Sequence, residues 1–377
     1  EPVALSEEQM MANIEAARAA EGGEAAAAPP AAPVAENATP PLFPEGHAFW
    51  SRLRTLQSIL VGGLSVRLYL QFLYKNNKAD LILLGKIKDT LPERNSVCHS
   101  AAVVCHAYMH CGTTVDTFLR KNLEWLSKAS NWAKFNAIGS LGVVHKGHLA
   151  ESRTLLEPYL PKDAAMSTRP YQEGGALFAL GLIHANKGGQ GDTEIVSYLL
   201  ENLLAAGRNQ TEKTAEVIQH GASLGLGLAA MGTGSLDHWE KLKNVLYSDS
   251  AVAGEGAAIA AGLLLLGTAK QGPVQEMLQY AHDTKHDKII RGLSLGIALT
   301  MLGQEEQADG LIDRLQTDND AILRCSAMWT TASAYAGTTN NRAIRRLLHV
   351  AVSDVNDDVR RTAVMALGFV MVSGTRI

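Results

Sequence analysis

The sequence predicts an all-α fold of the α-solenoid type, in which helical hairpins stack in an array, and three observations carry this prediction. A segment rich in small residues, Gly221 to Gly232, returns along the chain at a near-constant interval. Each copy is followed by an amphipathic segment with larger side chains. Hydrophobic residues make up 46% of the 377 residues, which is enough for a large core. Internal periods of about 20 to 50 residues are typical of solenoids and related arrays.

Three small-residue positions define each copy of the repeat. In the central copy they are Gly221, Gly227 and Gly232. The first two lie about 120° apart around a helix axis and leave both flanks of the helix smooth. A glycine destabilises a helix interior by about 1 kcal/mol relative to alanine, so close approach of a neighbouring backbone on each side must compensate. The same positions are occupied in other copies by Gly142, Gly175, Gly181, Gly256, Gly262, Gly267, Gly292, Gly303, Gly337 and Gly368.

The third small position lies where each helix should end, because glycine enters the left-handed backbone region without strain. Eight such inner helices are predicted from Ala101 onward. Outer helices are predicted between them, among them Asp116 to Leu126 and Ala150 to Leu160. Acidic or amide residues before the inner helices are predicted to cap them: Asn131, Asp249, Asp287, Asp318 and Asn356.

Composition divides the chain into three parts. Residues 1–48 are rich in Ala, Pro and Glu and are predicted to be a flexible insert or linker. Residues 49–94 show amphipathic helical patterns without the small-residue positions, so we assign them to the end of a preceding helical rod. The repeats occupy residues 95–377. Their last segment, Ala363 to Val372, is apolar and unlike the polar cap of a terminal repeat, which predicts an incomplete array within a larger protein.

Charge, hydropathy and cysteine content exclude several function classes. The net charge of −4 does not favour nucleic-acid binding. The longest apolar run, Ile259 to Leu266, is far shorter than the roughly 20 residues of a membrane span. Four cysteines in so long a chain favour reduced thiols and a cytoplasmic and nuclear location. No cofactor, membrane or small-molecule substrate is expected.

One motif resembles a catalytic site. Residues Gly221 to Gly225 fit the pattern G-x-S-x-G, the nucleophile elbow of serine hydrolases, with Ser223 as the nucleophile. That motif requires a strand before the serine, whereas this segment is predicted to be helical. Gly292 to Gly296, with Ser294, fits the same pattern at the aligned repeat position. Two elbows in register favour a packing role, and a hydrolase that uses Ser223 remains the enzyme hypothesis.

Histidines and cysteines form the densest group of metal-type side chains. The spacing of His99, His106 and His110 places three imidazoles on one helical face, beside Cys98, Cys105 and Cys111. The chain has no C-x-x-C pair and no second ligand pair downstream, so packing is the favoured interpretation over zinc. His282 and His286 lack the glutamate of a zinc-protease motif. The loop Lys187 to Gly191 lacks the signature of a phosphate loop.

Four arginines near the end of the chain are the candidate partner-docking residues. They flank Asp354, Asp357 and Asp358. Such an arrangement is typical of salt bridges between adjacent repeats, and a role in docking another protein is the alternative. The four are Arg345, Arg346, Arg360 and Arg361.

Several stretches resemble a known family. AVIQHGASLGLGLAAMGTG, YQEGGALFALGLIHANKGG and NNRAIRRLLHVAVSDVNDDVRRTAVMALGF are similar to the proteasome/cyclosome repeats (PC repeats) of the larger non-ATPase scaffold subunits of the proteasome regulatory particle. NWAKFNAIGSLGVVHKGH, VCHSAAVVCHAYMHCGTT and FLRKNLEWLSKASNWAKF look like earlier repeats of the same family. The resemblance covers the chain from about Leu68 to Ile377.

The resemblance implies a closed toroid of two concentric helical rings, entered from an N-terminal helical rod. It also implies a subunit without catalytic residues that organises the lid, the base and the ubiquitin-handling subunits, including ubiquitin receptors and a deubiquitinase, around the ATPase ring. The Ala/Pro/Glu segment would be the variable insertion between rod and toroid. The family's receptor-docking tail has no counterpart among these residues. The alternative is another helical-repeat adaptor, of the armadillo-like or cyclosome type.

Overall fold

The computed structural model describes residues 80–91, 96–162, 169–190, 193–208 and 213–372, together with isolated positions between 49 and 72. Contacts divide the chain into two compact units, residues 1–73 and 74–377. The predicted flexible segment, residues 1–48, lies outside the described residues. In the described part of the second unit all regular secondary structure is helical, which confirms the all-α class.

The described residues form 17 α-helices, numbered here in chain order. They are α1 (Leu81–Thr90), α2 (Ser96–Met109), α3 (Thr117–Lys121), α4 (Leu123–Ser127), α5 (Asn131–Val144), α6 (Ser152–Leu156), α7 (Pro170–Ile183), α8 (Thr193–Gly207), α9 (Lys213–Ala229), α10 (Leu236–Leu246), α11 (Ala251–Leu264), α12 (Gln271–Asp283), α13 (Asp287–Thr300), α14 (Asp309–Gln316), α15 (Ala321–Ala334), α16 (Asn341–Ser353) and α17 (Asp357–Met371).

The helices form two layers. The inner helices are those with the small-residue positions, and each packs against the next inner helix along the chain. They are α2, α5, α7, α9, α11, α13, α15 and α17. The outer helices lie between them in sequence, and α8, α10, α12, α14 and α16 each pack on the inner helix that follows. Such stacked hairpins are the architecture of an α-solenoid.

The core has two parts. One hydrophobic cluster runs through the repeats from Leu156 to Val370 and consists of aliphatic and alanine side chains with few aromatic rings. A separate small cluster lies near the start of the array around Leu84, Val103 and Phe118. Among the described residues no helix is long and apolar enough to cross a membrane.

Two predicted outer helices are shorter than expected. The segment from Asp116 is broken into α3 and α4 at Asn122, whose backbone N–H donates to the carbonyl of Leu119. The side-chain amide of Asn122 donates to the carbonyl of Phe118 at 2.7 Å, and its side-chain oxygen accepts from Lys88 Nζ at 2.8 Å. In the next hairpin only Ser152–Leu156 is helical. Pro158 lies two residues after the end of this helix and has no backbone N–H to extend it.

Most of the predicted N-caps are displaced by one or two residues. The caps are Ser130, Ser250, His286 and Asp320, whereas Asn356 caps α17 as expected and accepts from the amides of Asp358 and Val359. The predicted residues Asn131 and Asp249 have positive φ angles of 49° and 55°. These residues therefore shape the turns beside the cap and leave the capping position, which needs extended backbone, to a neighbour.

Candidate functional site

The first small position of each repeat contacts the preceding inner helix. A Cβ atom added at Gly175 of α7 would lie 2.7 Å from the carbonyl oxygen of Phe135 in α5. At Gly292 of α13 the nearest atom would be the carbonyl oxygen of Glu255 in α11, at 2.9 Å. Gly221 meets the backbone of Gly174 still more closely. The backbones therefore touch, and a side chain at these positions has no space.

The second small position contacts the following inner helix. A Cβ added at Gly227 of α9 would lie 2.6 Å from the Cα of Ala260 in α11. At Gly142 of α5 it would lie 2.6 Å from the Cα of Ala179 in α7. Gly181 and Gly262 meet the backbones of other glycines in the same way. The inner helices α7, α9 and α11 are thus in backbone contact with a neighbour on both flanks, and we call such contacts between inner helices the seams.

Glycines that the sequence pattern did not single out complete the seams. Gly225 and Gly296 are the residues that Gly181 and Gly262 approach, and a Cβ at Gly225 would lie 2.6 Å from the carbonyl oxygen of Leu177. These are the last glycines of the two G-x-S-x-G motifs. The G-x-S-x-G motif was therefore the sequence signal for these two seam glycines, because its glycines serve helix packing.

The third small position joins successive repeats through backbone hydrogen bonds. Gly232 has a φ of +70° and donates its N–H to the carbonyl of Leu263, near the end of α11, at 3.0 Å. Gly267 donates in the same way to Leu299 at 3.1 Å. Asn186 takes the glycine's place after α7 and donates to Leu228 at 2.9 Å. The last carbonyls of a helix have no intrahelical partner, so each turn caps the next inner helix.

This ladder of turn-to-helix bonds recurs along the described array. Its other glycine donors all have positive φ angles between 68° and 85°. The bonds run from Gly112 to Val143, Gly147 to Ile183, Gly303 to Ser333 and Gly337 to Phe369.

Gly368, the second small position of α17, differs from its counterparts. A Cβ added there would meet nothing within 4 Å. The neighbouring side chains of Val364, Met365 and Phe369 are 58%, 49% and 52% exposed. This flank of α17 is therefore apolar and open to solvent.

Charged residues link the outer layer from repeat to repeat. Lys243 of α10 binds Glu276 of α12 at 2.9 Å. Arg324 of α15 binds Asp354, in the turn before α17, at 2.9 Å, and both side chains are largely buried. The hydrogen bond from Arg324 lowers the pKa of the Asp354 carboxyl.

The four candidate docking arginines fall into different environments. Arg346 is largely buried and reaches Asp313 at 2.6 Å, so it links α16 to α14. Arg360 pairs with Asp357 and also donates to the carbonyl of Asp354. Arg361 pairs with Asp358 at 2.7 Å within its own helix, and its side chain is 73% exposed. Arg345 is exposed on α16.

A groove of about 1030 Å³ crosses the N-terminal halves of α13, α15 and α17. Its lining includes the apolar side chains of Leu295, Trp329 and Met365. Arg291 and Arg361 lie among acidic residues at the same groove. The groove thus combines an apolar surface with charges of both signs.

The residues of the catalytic and metal hypotheses lie in different environments, from fully buried to exposed. Ser223 lies in the middle of α9 and is fully buried, and Ser294 is 4% exposed and donates to the carbonyl of Ile322. Among the described residues no three His, Cys, Asp or Glu side chains are grouped to hold a metal ion. His282 bonds Asp318 at 2.9 Å, which raises its pKa. None of the four cysteines, all of which lie in the described part of the chain, forms a disulfide.

The geometry defines a helical-repeat protein of the α-solenoid class whose repeats are joined by backbone contact. No protein-family model matches the chain. Curated relatives do. The chain is 56% identical over 331 residues to the 26S proteasome non-ATPase regulatory subunit 1 homolog B of Arabidopsis thaliana, and the match covers 88% of this chain and 32% of that protein.

Relatives from other kingdoms agree. The chain is 52% identical over 319 residues to the 26S proteasome non-ATPase regulatory subunit 1 of Drosophila melanogaster, covering 85% of this chain and 30% of that protein. It is 49% identical over 312 residues to the 26S proteasome regulatory subunit rpn2 of Schizosaccharomyces pombe, covering 83% and 31%. The chain therefore belongs to the family of the 26S proteasome non-ATPase regulatory subunit 1, and it spans about a third of the length of these relatives.

Proposed function

We propose that the chain is the repeat array of a non-catalytic scaffold subunit of the proteasome regulatory particle. In this role it holds the ATPase ring, the lid, the ubiquitin receptors and a deubiquitinase in fixed positions for the degradation of ubiquitinated proteins. The observation that carries the proposal is the backbone contact at successive seams, which joins the described repeats into one continuous body. The names of the relatives, regulatory subunits of the 26S proteasome, support the assembly.

The proposal extends to the architecture of the whole protein and to its location. Further repeats close the array into a toroid of two concentric rings, with residues 95–377 in the toroid and residues 49–94 at the end of an N-terminal rod. The open apolar flank of α17 supports an additional packed helix there. The subunit acts in the cytoplasm and the nucleus, where its partners act.

Partner contacts are proposed at two of the four arginines. Arg345 and Arg361 present exposed guanidinium groups, whereas Arg346 is engaged between outer helices. An exposed charge at an interface rim chiefly affects the rate and the salt dependence of association. Arg345 and Arg361 are therefore the positions at which charge reversal should weaken docking without unfolding the array.

Native affinity purification of the tagged full-length protein, followed by mass spectrometry, tests the scaffold function. Stoichiometric ATPase-ring and lid subunits are the expected result. Gly227→Leu should reduce the recovery of these subunits at equal amounts of the tagged protein, because the added side chain collides with the backbone of Ala260. Gly272→Leu is the matched control, since a Cβ at this exposed helical glycine meets nothing within 4 Å.

The result that would contradict the proposal is recovery of the wild-type protein alone or with a different machine. In that case the α-solenoid would serve another adaptor function. Equal recovery with Gly227→Leu and Gly272→Leu would show that the seams do not determine subunit retention.

A further inference from the structure

The start of the array contains three buried imidazoles on one helix. His99, His106 and His110 are 7%, 0% and 5% exposed. The ring of His99 stacks on Trp125 of α4 with ring centroids 4.0 Å apart, and the ring of His106 stacks on Phe118 of α3 at 5.1 Å. We call this packing of α2 on α3 and α4 the N-terminal joint.

His106 is the least favourable of the three to protonate. Neither of its ring nitrogens has a hydrogen-bond partner in the part of the chain that the structure describes. Burial lowers the pKa of His106 to about 4, and the proximity of His110, with ring centroids 4.7 Å apart, contributes in the same direction. Burial also lowers the pKa values of His99 and His110. A proton on any of these rings therefore disfavours the closed joint.

The charged groups around the joint do not offset the cost of protonating these buried imidazoles. Asp116, before α3, raises the pKa of His106, but its carboxylate already accepts from Arg120 Nε at 2.8 Å. From the end of α5, His145 lies 3.8 Å from Asp116, and burial lowers its pKa as well. His148, in the following turn, contacts the carbonyl of Gly112.

Several charged side chains of α1, α3 and α4 lie at a cleft that does not include the imidazoles. Lys88 binds Asp89 at 2.7 Å and Asn122 at 2.8 Å. Lys88 lines a cleft beside Trp125 that contains none of the imidazoles, together with Lys121 of α3, Glu124 of α4 and Lys128, the residue after α4. No carboxylate of the described residues other than Asp116 acts on the pKa of His106.

We propose that the N-terminal joint is acid-sensitive: mild acidification opens the packing of α2 on α3 and α4 while the seam between α11 and α13 stays closed. Opening exposes the imidazoles, which then take up protons that the closed joint excludes. The closest contacts of the α11–α13 seam are made by Gly262, Gly292 and Gly296 with backbone atoms and with the methyl group of Ala258, and the part of Glu255 that takes part is its backbone. This inference is independent of the proposed scaffold function.

The expected change in the opening equilibrium of the joint follows from proton linkage. An exposed histidine has a pKa near 6.5, so between about pH 6.5 and pH 4 the open joint binds more protons than the closed joint. From pH 7.4 to pH 5.5, His106 alone raises the opening equilibrium about tenfold, and each further imidazole with a lowered pKa adds to this factor.

Hydrogen–deuterium exchange of the full-length protein at pH 7.4 and pH 5.5 tests the proposal, with exchange times scaled for the intrinsic pH dependence of amide exchange. Peptides from α2, α3 and α4 should lose protection about tenfold or more at the lower pH, and peptides from α13 should not. In His106→Gln this difference should shrink, because glutamine does not titrate. His349→Gln, at an exposed histidine of α16, is the matched control and should respond like the wild type.

Two results would overturn the proposal. One is unchanged protection of α2, α3 and α4 between the two pH values. The other is an equal loss of protection in α13, which would indicate general acid unfolding. The wild-type measurement alone distinguishes these outcomes if His106→Gln does not fold.

Discussion

The N-terminal joint and the α11–α13 seam are two helix–helix contacts of the same array, and they are made by different chemical groups. At the seam, Gly262 and Gly296 bring two backbones into contact, and no side chain lies between them. At the joint, imidazole rings stack on Trp125 and Phe118. Backbone contact allows no added atom but does not depend on pH. Ring contact is built from imidazoles, which titrate near neutrality once they are exposed to solvent.

The largest effect on stability is expected from a substitution that breaks the α11–α13 seam. Gly262→Leu should lower the free energy of unfolding by about 3 kcal/mol or more, because the new side chain meets the backbone of Gly296, which cannot rotate away. Gly310→Leu is the control, since a Cβ there meets nothing within 4 Å. Urea denaturation of both variants measures the difference. Similar midpoints for the two would contradict close backbone packing at the seam.

A smaller effect is expected at a side-chain link between repeats. Arg324→Met should cost about 2 kcal/mol, because it leaves the largely buried Asp354 without its guanidinium partner. The exposed pair of Arg361 and Asp358 provides the control, and Arg361→Met should have a much smaller effect.

The same link has a defined pH dependence. Arg324 lowers the folded pKa of Asp354 below 3.8, so its contribution is present above that pH and is lost as the pH falls through the folded pKa. The difference in unfolding free energy between wild type and Arg324→Met should therefore shrink in strong acid. A difference that grows on acidification would contradict this.

His282 should show the opposite pH response to the N-terminal joint. Its hydrogen bond to Asp318 raises its folded pKa above 6.5, so its contribution is fully present below pH 6.5 and is lost as the pH rises through the folded value. His282→Gln should cost less than about 1 kcal/mol, because the imidazole is partly exposed. Unfolding measured at pH 5.5 and pH 9 should show the cost only at the lower pH.

The smallest effect is expected at the catalytic lookalike. Ser223→Ala should leave stability and subunit recovery nearly unchanged, because the buried hydroxyl has no hydrogen-bond partner among the described residues. Ser326→Ala is the informative comparison, since that hydroxyl donates to the carbonyl of Ser294 at 2.9 Å. A loss of function with Ser223→Ala in a stable protein would revive the enzyme hypothesis.

The sequence was most informative where the repeat depends on residue size. Its periodic small residues predict the inner helices, and the all-α class is confirmed in the described residues. The ladder from Gly232 to Leu263 could not be predicted in the same way, because it joins backbone groups of different repeats. The pairing of Arg346 with Asp313 could not be predicted from the sequence either, because it depends on how the outer helices pack against one another. The docking roles of Arg345 and Arg361 and the closed toroid remain predictions.

The most direct test of the continuous array is the amide exchange of its turns, measured residue by residue in the full-length protein. Gly232, Gly267 and Gly303 lie in turns, yet each donates its N–H to the next repeat. If the seams join the repeats into one body, these amides exchange as slowly as those within the inner helices. Exchange at the rate of an unstructured loop would show that the turns do not cap their neighbours, and it would contradict the account.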